Sequence, residues 1–212
     1  MKTAVITAIA TLALAGTGAA RIRAGRPELA AKHTITAYVM DNRVDRATSP
    51  VQAEELASQI FATAGIAVDW RRGRPVTDPT PSDLTVVIDI RDQTPAERMP
   101  GALAFAEPYE GIHLVVFYDR VRKMNSPRPE SVLGHVLAHE VTHLLEGVAR
   151  HSKTGVMKAR YTHADAYAML AHPLPFAPED MALIEVGIEK RLAGAAHGTG
   201  VTTEAATPGE SR

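Results

Sequence analysis

The run His139-Glu140-Val141-Thr142-His143 places two imidazoles four residues apart with a carboxylate directly after the first. On a helix, four residues advance the chain by about 400° and ~6 Å, so His139 and His143 come to one face a turn apart and can aim ring nitrogens at one ion. Glu140 lies about 100° round from His139. That is too far round to share the same inner shell, but within reach of a water on the ion, whose proton it can take. Two His ligands, a third ligand from elsewhere, an open position for water and a Glu base make up the site of a zinc hydrolase. The competing reading is a partly buried helix whose histidines are satisfied by hydrogen bonds and hold no ion.

The pattern leaves the third ligand open. The sequence has no cysteine, so it must come from His, Asp, Glu or a backbone oxygen. His151 is the first candidate, provided that the chain turns back after Gly147. Glu179 or Glu185 could serve from a later helix, and His163 and Asp165 form another nearby pair. His135 shares nearly the same face as His139 but lies ~12 Å along the axis from His143, too far to join both on one ion. A role in supporting the ligands from behind, or in the core, suits it better. Met157 taken alone is ordinary core filler, and the cluster Arg71, Arg72 and Arg74 reads as a solvated loop.

These residues need a scaffold, and hydrophobic periodicity outlines one. Thr34 to Met40 alternates as a strand, Pro50 to Ala64 carries apolar residues at helical spacing with Gly65 as its stop, and Ile66 to Trp70 is a second strand. This β-α-β order implies a parallel pair. Leu84 to Ile90 is a strong, apparently central strand, Ala102 to Ala106 a short strand of small residues, and Ile112 to Tyr118 another strong one. The helix bearing the His pair runs from about Ser131 to Glu146, with a wide apolar stripe. An irregular stretch from Gly147 to Arg160 follows, then a short helix near His163 to Leu170 and a last one from Pro178 to Leu192. The expected fold class is α+β: a mixed, mostly parallel twisted sheet of about five strands with an antiparallel edge strand, an active-site helix and a C-terminal helix.

The run from His139 through Gly147 and His151-Ser152 to Gly155-Val156-Met157 resembles the metzincin metallopeptidases. In that clan HExxHxxGxxH supplies three His ligands, and a methionine in a tight turn forms a floor below the metal. The resemblance implies His139, His143 and His151 as ligands to Zn2+, Glu140 as general base, Gly147 as hinge and Met157 as floor. Tyr161, four residues after that methionine, is a lesser candidate for a fifth ligand or oxyanion stabiliser. The order of elements over Thr34 to Leu192 is similar to the metzincin upper subdomain. Here glycine stands four residues after the second His rather than three, and His151 eight rather than six, so two extra residues must be absorbed in the turn. The chain resembles a group of exported bacterial proteins that carry this longer spacing with a His-Ser-x-x-Gly-x-Met run.

Met1 to Ala20 reads as a cleavable signal peptide, with Lys2, an apolar run of about 12 residues and Gly18-Ala19-Ala20. That run is too short to span a bilayer, which predicts a secreted or periplasmic protein without stable membrane insertion. Residues 21–31 read as an extension, 32–192 as the zincin-like catalytic domain and 193–212 as a disordered tail rich in Gly, Ala, Thr and Glu. The 212 residues are 45% hydrophobic, enough for one real core. Lys+Arg 23 against Asp+Glu 24 offers no basic excess for nucleic acid. The expected function is an exported zinc metallopeptidase acting on peptide or protein substrates. The alternative is a non-catalytic exported metal-binding or interaction protein on the same scaffold.

Overall fold

The computed structural model describes residues 31–44, 50–94, 101–124 and 126–198. The signal-peptide reading, most of the N-terminal extension and residues 199–212 lie outside the described residues.

Strand β1 (His33–Asn42) sends Ile35, Ala37 and Val39 inward, as its alternation requires. Helix α1 (Val51–Ala62) crosses back over that face to β2 (Ile66–Arg72), which pairs parallel with β1. Gly65, at φ +72°, makes the turn between them. Strand β3 (Thr85–Arg91) lies parallel to β1 on its other side and is buried on both faces, which accounts for its near-continuous apolar sequence. After β4 (Ala104–Ala106), strand β5 (His113–Phe117) joins β3 in parallel, and β4 pairs antiparallel with β5. The order β2-β1-β3-β5-β4 makes β3 central and β4 an edge. The expected α+β class, with its mostly parallel five-stranded sheet and one antiparallel edge strand, is what the chain adopts.

Four helices follow: α2 (Tyr118–Arg122), α3 (Pro129–Glu146), α4 (His163–Ala171) and α5 (Pro178–Gly198). Helix α3 is buried from Ser131 to Glu146. Two glycines admit the backbones that enclose it. A Cβ on Gly134 would lie 2.8 Å from the Ala53 carbonyl of α1, and one on Gly187 of α5 would lie 1.9 Å from the Leu145 carbonyl. Arg191 of α5 donates to the carbonyls of Leu144, Gly111 and Pro81, tying α5 to the end of α3 and to the loop before β5.

Three details differ from the sequence expectations. Helix α5 continues past Leu192 to Gly198: the added stretch is rich in alanine, which sustains a helix without any apolar stripe to reveal it. Helix α2 was not anticipated, because a single turn is too short to show a period. Arg71 and Arg72 belong to β2 rather than to a solvated loop, and Arg72 grips the buried Glu54 of α1 with two hydrogen bonds of 2.5 and 2.8 Å. Among the described residues, no helix is long and apolar enough to cross a membrane.

Candidate metal centre

Helix α3 brings His139 and His143 to one face, as their spacing requires, with ring centroids 4.7 Å apart. Each ring is oriented by a backbone carbonyl. His139 Nδ1 lies 2.8 Å from the Val156 oxygen, and His143 Nδ1 lies 3.1 Å from the Val148 oxygen. A carbonyl only accepts, so both Nδ1 atoms carry the proton and both Nε2 atoms present lone pairs. Those Nε2 atoms face each other at 3.1 Å. Two nitrogens bound tetrahedrally to one zinc at ~2.05 Å stand about 3.3 Å apart, so the pair is spaced to share an ion. Burial, with the neighbouring imidazoles adding to it, pushes His139 down to about 3 and His143 down to about 4. Both rings are therefore neutral near pH 7, as ligands must be.

His151 completes the group. One ligand atom from each of His139, His143 and His151 lies within 4.8 Å of the others, and the His151 ring stands 5.3 and 4.9 Å from the other two ring centroids. Gly147 ends α3 in the left-handed region at φ +68° and donates to the His143 carbonyl at 3.0 Å. This reversal sets the Val148 carbonyl against His143 and returns the chain toward the helix. The two extra residues of the turn are absorbed with both flanks of His151 anchored. Arg150 Nη1 donates to Asp180 Oδ1 at 2.7 Å, and Ser152 Oγ donates to the same oxygen at 2.5 Å. Asp180 is fully buried in the first turn of α5, where its other oxygen accepts the Ala177 amide at 2.9 Å.

The other candidates are placed elsewhere. Glu185 pairs with Lys32 beside β1, Glu179 is exposed, His163 opens α4, and Asp165 caps α4 while bonding Lys158. His135 is a structural residue, as its distance along the axis predicts. Its Nδ1 donates to Ser131 at 2.8 Å, and its Nε2 accepts the Leu174 amide at 2.9 Å. Met157 is fully buried in the turn Gly155 to Lys158, where the Ser152 amide donates to its carbonyl.

The His trio opens into a cavity of about 870 Å³ walled by Gly101 to Glu110, Met124, Val136 and Lys158 to Tyr161. The edge strand β4 forms one side of it. Glu140 lies between the trio and that strand, accepts the Ala106 backbone N–H, and is pushed up to about 8 by burial. Tyr161 also lines the cavity, but its hydroxyl donates to the Val156 carbonyl at 2.6 Å. Burial raises its phenol well above the usual range, so it stays protonated as a donor. Three partners of the site escaped sequence reading: the Val148 and Val156 carbonyls, which are the same atoms in any residue, and Asp180, which the sequence places only within the first turn of the last helix.

The chain matches no protein-family model and no curated protein. Solved structures to which the chain is similar include the following three. Archaemetzincin from Methanopyrus kandleri matches over 74% of this chain and 96% of its own, at 16% identity and a TM-score of 0.49. Archaemetzincin from Archaeoglobus fulgidus, in complex with malonate, matches over 70% and 99%, at 14% identity and a TM-score of 0.47. A zinc-dependent peptidase from Methanocorpusculum labreanum matches over 71% and 99%, at 11% identity and a TM-score of 0.45.

Proposed function

We propose that this chain is a zinc metallopeptidase in which His139, His143 and His151 hold the metal and Glu140 is the general base. The observation that carries this reading is the joint placement of three convergent imidazoles and one buried carboxyl at the floor of a cleft with a strand edge as its wall. The donor set suits zinc: three neutral imidazoles, two of them with tautomers fixed by carbonyls and spaced for a tetrahedral ion. Zinc held there supplies Lewis acidity and an acidified water at its open position.

The protein's own residues account for the rest. Among the described residues strand β4 pairs only with β5, along one edge, so its other edge is available to an extended peptide, which would lie along the cleft as an added strand. Glu140 is held between that edge and the imidazoles. It takes the water proton onto its carboxylate and passes it to the leaving amine. Its raised proton affinity suits a base that must keep the proton until the amine departs, and a cation nearby draws that affinity down toward neutrality. The metzincin resemblance makes Met157, fully buried in its turn, the floor below the metal. Export, carried by the leader-like Met1 to Ala20, is part of the proposal.

The deciding experiment is Glu140→Gln in the purified protein, with zinc content and peptide hydrolysis measured together. The expected result is one zinc per chain in both proteins and a loss of turnover of at least about 100-fold in the variant, within the usual range for a general base. Turnover equal to wild type would remove Glu140 from the mechanism. Tight zinc with no chelator-sensitive hydrolysis in the wild type would instead favour a non-catalytic metal-binding protein.

A further inference from the structure

We infer that Tyr161 is a positioning residue of the metal centre, its hydroxyl holding the Val156 carbonyl on which the His139 ring is oriented. The inference rests on the metal-centre reading above and concerns a residue that the sequence suggested, if anything, as a ligand. The Val156 oxygen accepts two bonds, from His139 Nδ1 at 2.8 Å and from Tyr161 Oη at 2.6 Å, which together use both of its lone pairs. The nearest second partner of the hydroxyl, the His135 carbonyl at 3.4 Å, is again an acceptor only. The phenolic proton is therefore committed to backbone oxygen. Val156 is itself fully buried, and its amide donates to the Pro175 carbonyl at 3.0 Å, so this residue's backbone is held on its amide side by one neighbour and at its carbonyl by Tyr161. The Tyr161 ring also stands edge-on to His139, at 6.0 Å between centroids and 78° between planes. Tyr161 thus limits the imidazole both directly and through its acceptor.

A ligand ring whose acceptor is fixed keeps its Nε2 aimed at the shared ion, and loss of a partner of this kind weakens metal affinity by about 10- to 100-fold. In the contrasting role, a fifth ligand or a donor to reacting oxygen, the hydroxyl would have to leave Val156. That would loosen His139 at the moment the metal is most needed.

The test is Tyr161→Phe in the full chain, compared with wild type and with Tyr167→Phe, whose side chain is exposed on α4. Zinc affinity is read by competition with a chromophoric chelator, and ligand geometry by the visible spectrum of the cobalt-loaded protein. The expected result is zinc affinity lower by about tenfold, the low end for a supporting partner, and a shifted cobalt band at unchanged stoichiometry, with Tyr167→Phe like wild type. Affinity and spectrum both like wild type would overturn the inference, whether or not thermal stability falls; if turnover alone were lost, the hydroxyl would belong to the reacting atoms. Should the phenylalanine variant not fold, difluorotyrosine at position 161 keeps ring and hydroxyl while changing donor strength. A shifted cobalt band then supports the inference, and an unchanged one overturns it. A wild-type protein that binds neither zinc nor cobalt sinks the metal-centre reading and this inference with it. Normal wild-type binding with an unaffected variant sinks only the inference.

Discussion

The five buried imidazoles and carboxyls on α3 divide by what each polar atom meets. His135 has both nitrogens satisfied, and therefore no lone pair to give a metal. His139 and His143 each have one nitrogen satisfied and the other aimed at its twin. Glu140 has one backbone donor and faces the cleft, while Glu146 is enclosed with neither oxygen hydrogen-bonded, only an ion-pair contact to Arg150 at 3.8 Å, and is pushed up to about 7 by burial. This contrast yields a prediction for His135. His135→Leu leaves the part-buried Leu174 amide without its acceptor, so unfolding free energy should fall by about 1–3 kcal/mol, while zinc stoichiometry stays that of wild type. Denaturant midpoints and metal analysis on the same preparation check both halves. Loss of zinc from this variant would place His135 in the site.

At the scale of elements, the third imidazole depends on a contact between α5 and the turn after α3. His151 is exposed, and its neighbours on both sides bind one oxygen of Asp180. The first turn of α5 therefore positions a residue 29 places earlier in the chain. Asp180→Asn keeps the size of the side chain but removes its charge and one acceptor oxygen. The expected outcome is zinc affinity weaker by about tenfold, with α3 and its two histidines unaltered. Competition titration measures the affinity, and the cobalt spectrum reports whether one ligand has loosened. An unchanged affinity would show that the turn holds His151 without α5.

For the molecule as a whole, the buried titratable groups set opposing pH limits once metal is removed by a chelator. His135, His139 and His143 have folded-state affinities for protons below the ordinary 6.5, with His143 near 4 and His139 near 3. Unfolding takes up protons there, so their contribution is full above pH 6.5 and is lost as pH falls. Glu140 and Glu146 are raised from 4.5 to about 8 and about 7. Unfolding releases their protons, so their contribution is full below pH 4.5 and is lost as pH rises. Between pH 4.5 and 6.5 the three imidazoles outweigh the two carboxyls, so stability climbs gently toward pH 6.5. The metal-free protein should be most stable in that interval, losing stability toward pH 3 on one side and toward pH 8 on the other. Urea unfolding across this range measures it, and a maximum at or above pH 8 would contradict the burial of the two carboxyls.

Much of this protein is legible in one dimension, because helix and strand periods are local. The spacing of His139 and His143 determines their shared helical face and sets Glu140 about 100° round from it, the alternation in β1 determines its buried side, and Gly147 the point where α3 must stop. The order of elements determines the α+β class, and the absence of cysteine leaves an imidazole and carboxyl chemistry. Tertiary structure alone decided among the candidates for the third position, since Glu185, His163 and Asp165 have suitable side chains and are spent on Lys32, the start of α4 and Lys158. It also decided the supports, for a physical reason: hydrogen bonds to the carbonyls of Val148 and Val156 depend on where the backbone passes, not on which side chain it carries. The carboxylate of Asp180 and the hydroxyl of Tyr161 gain their roles only when turns and helices far apart in the chain close around the same few atoms.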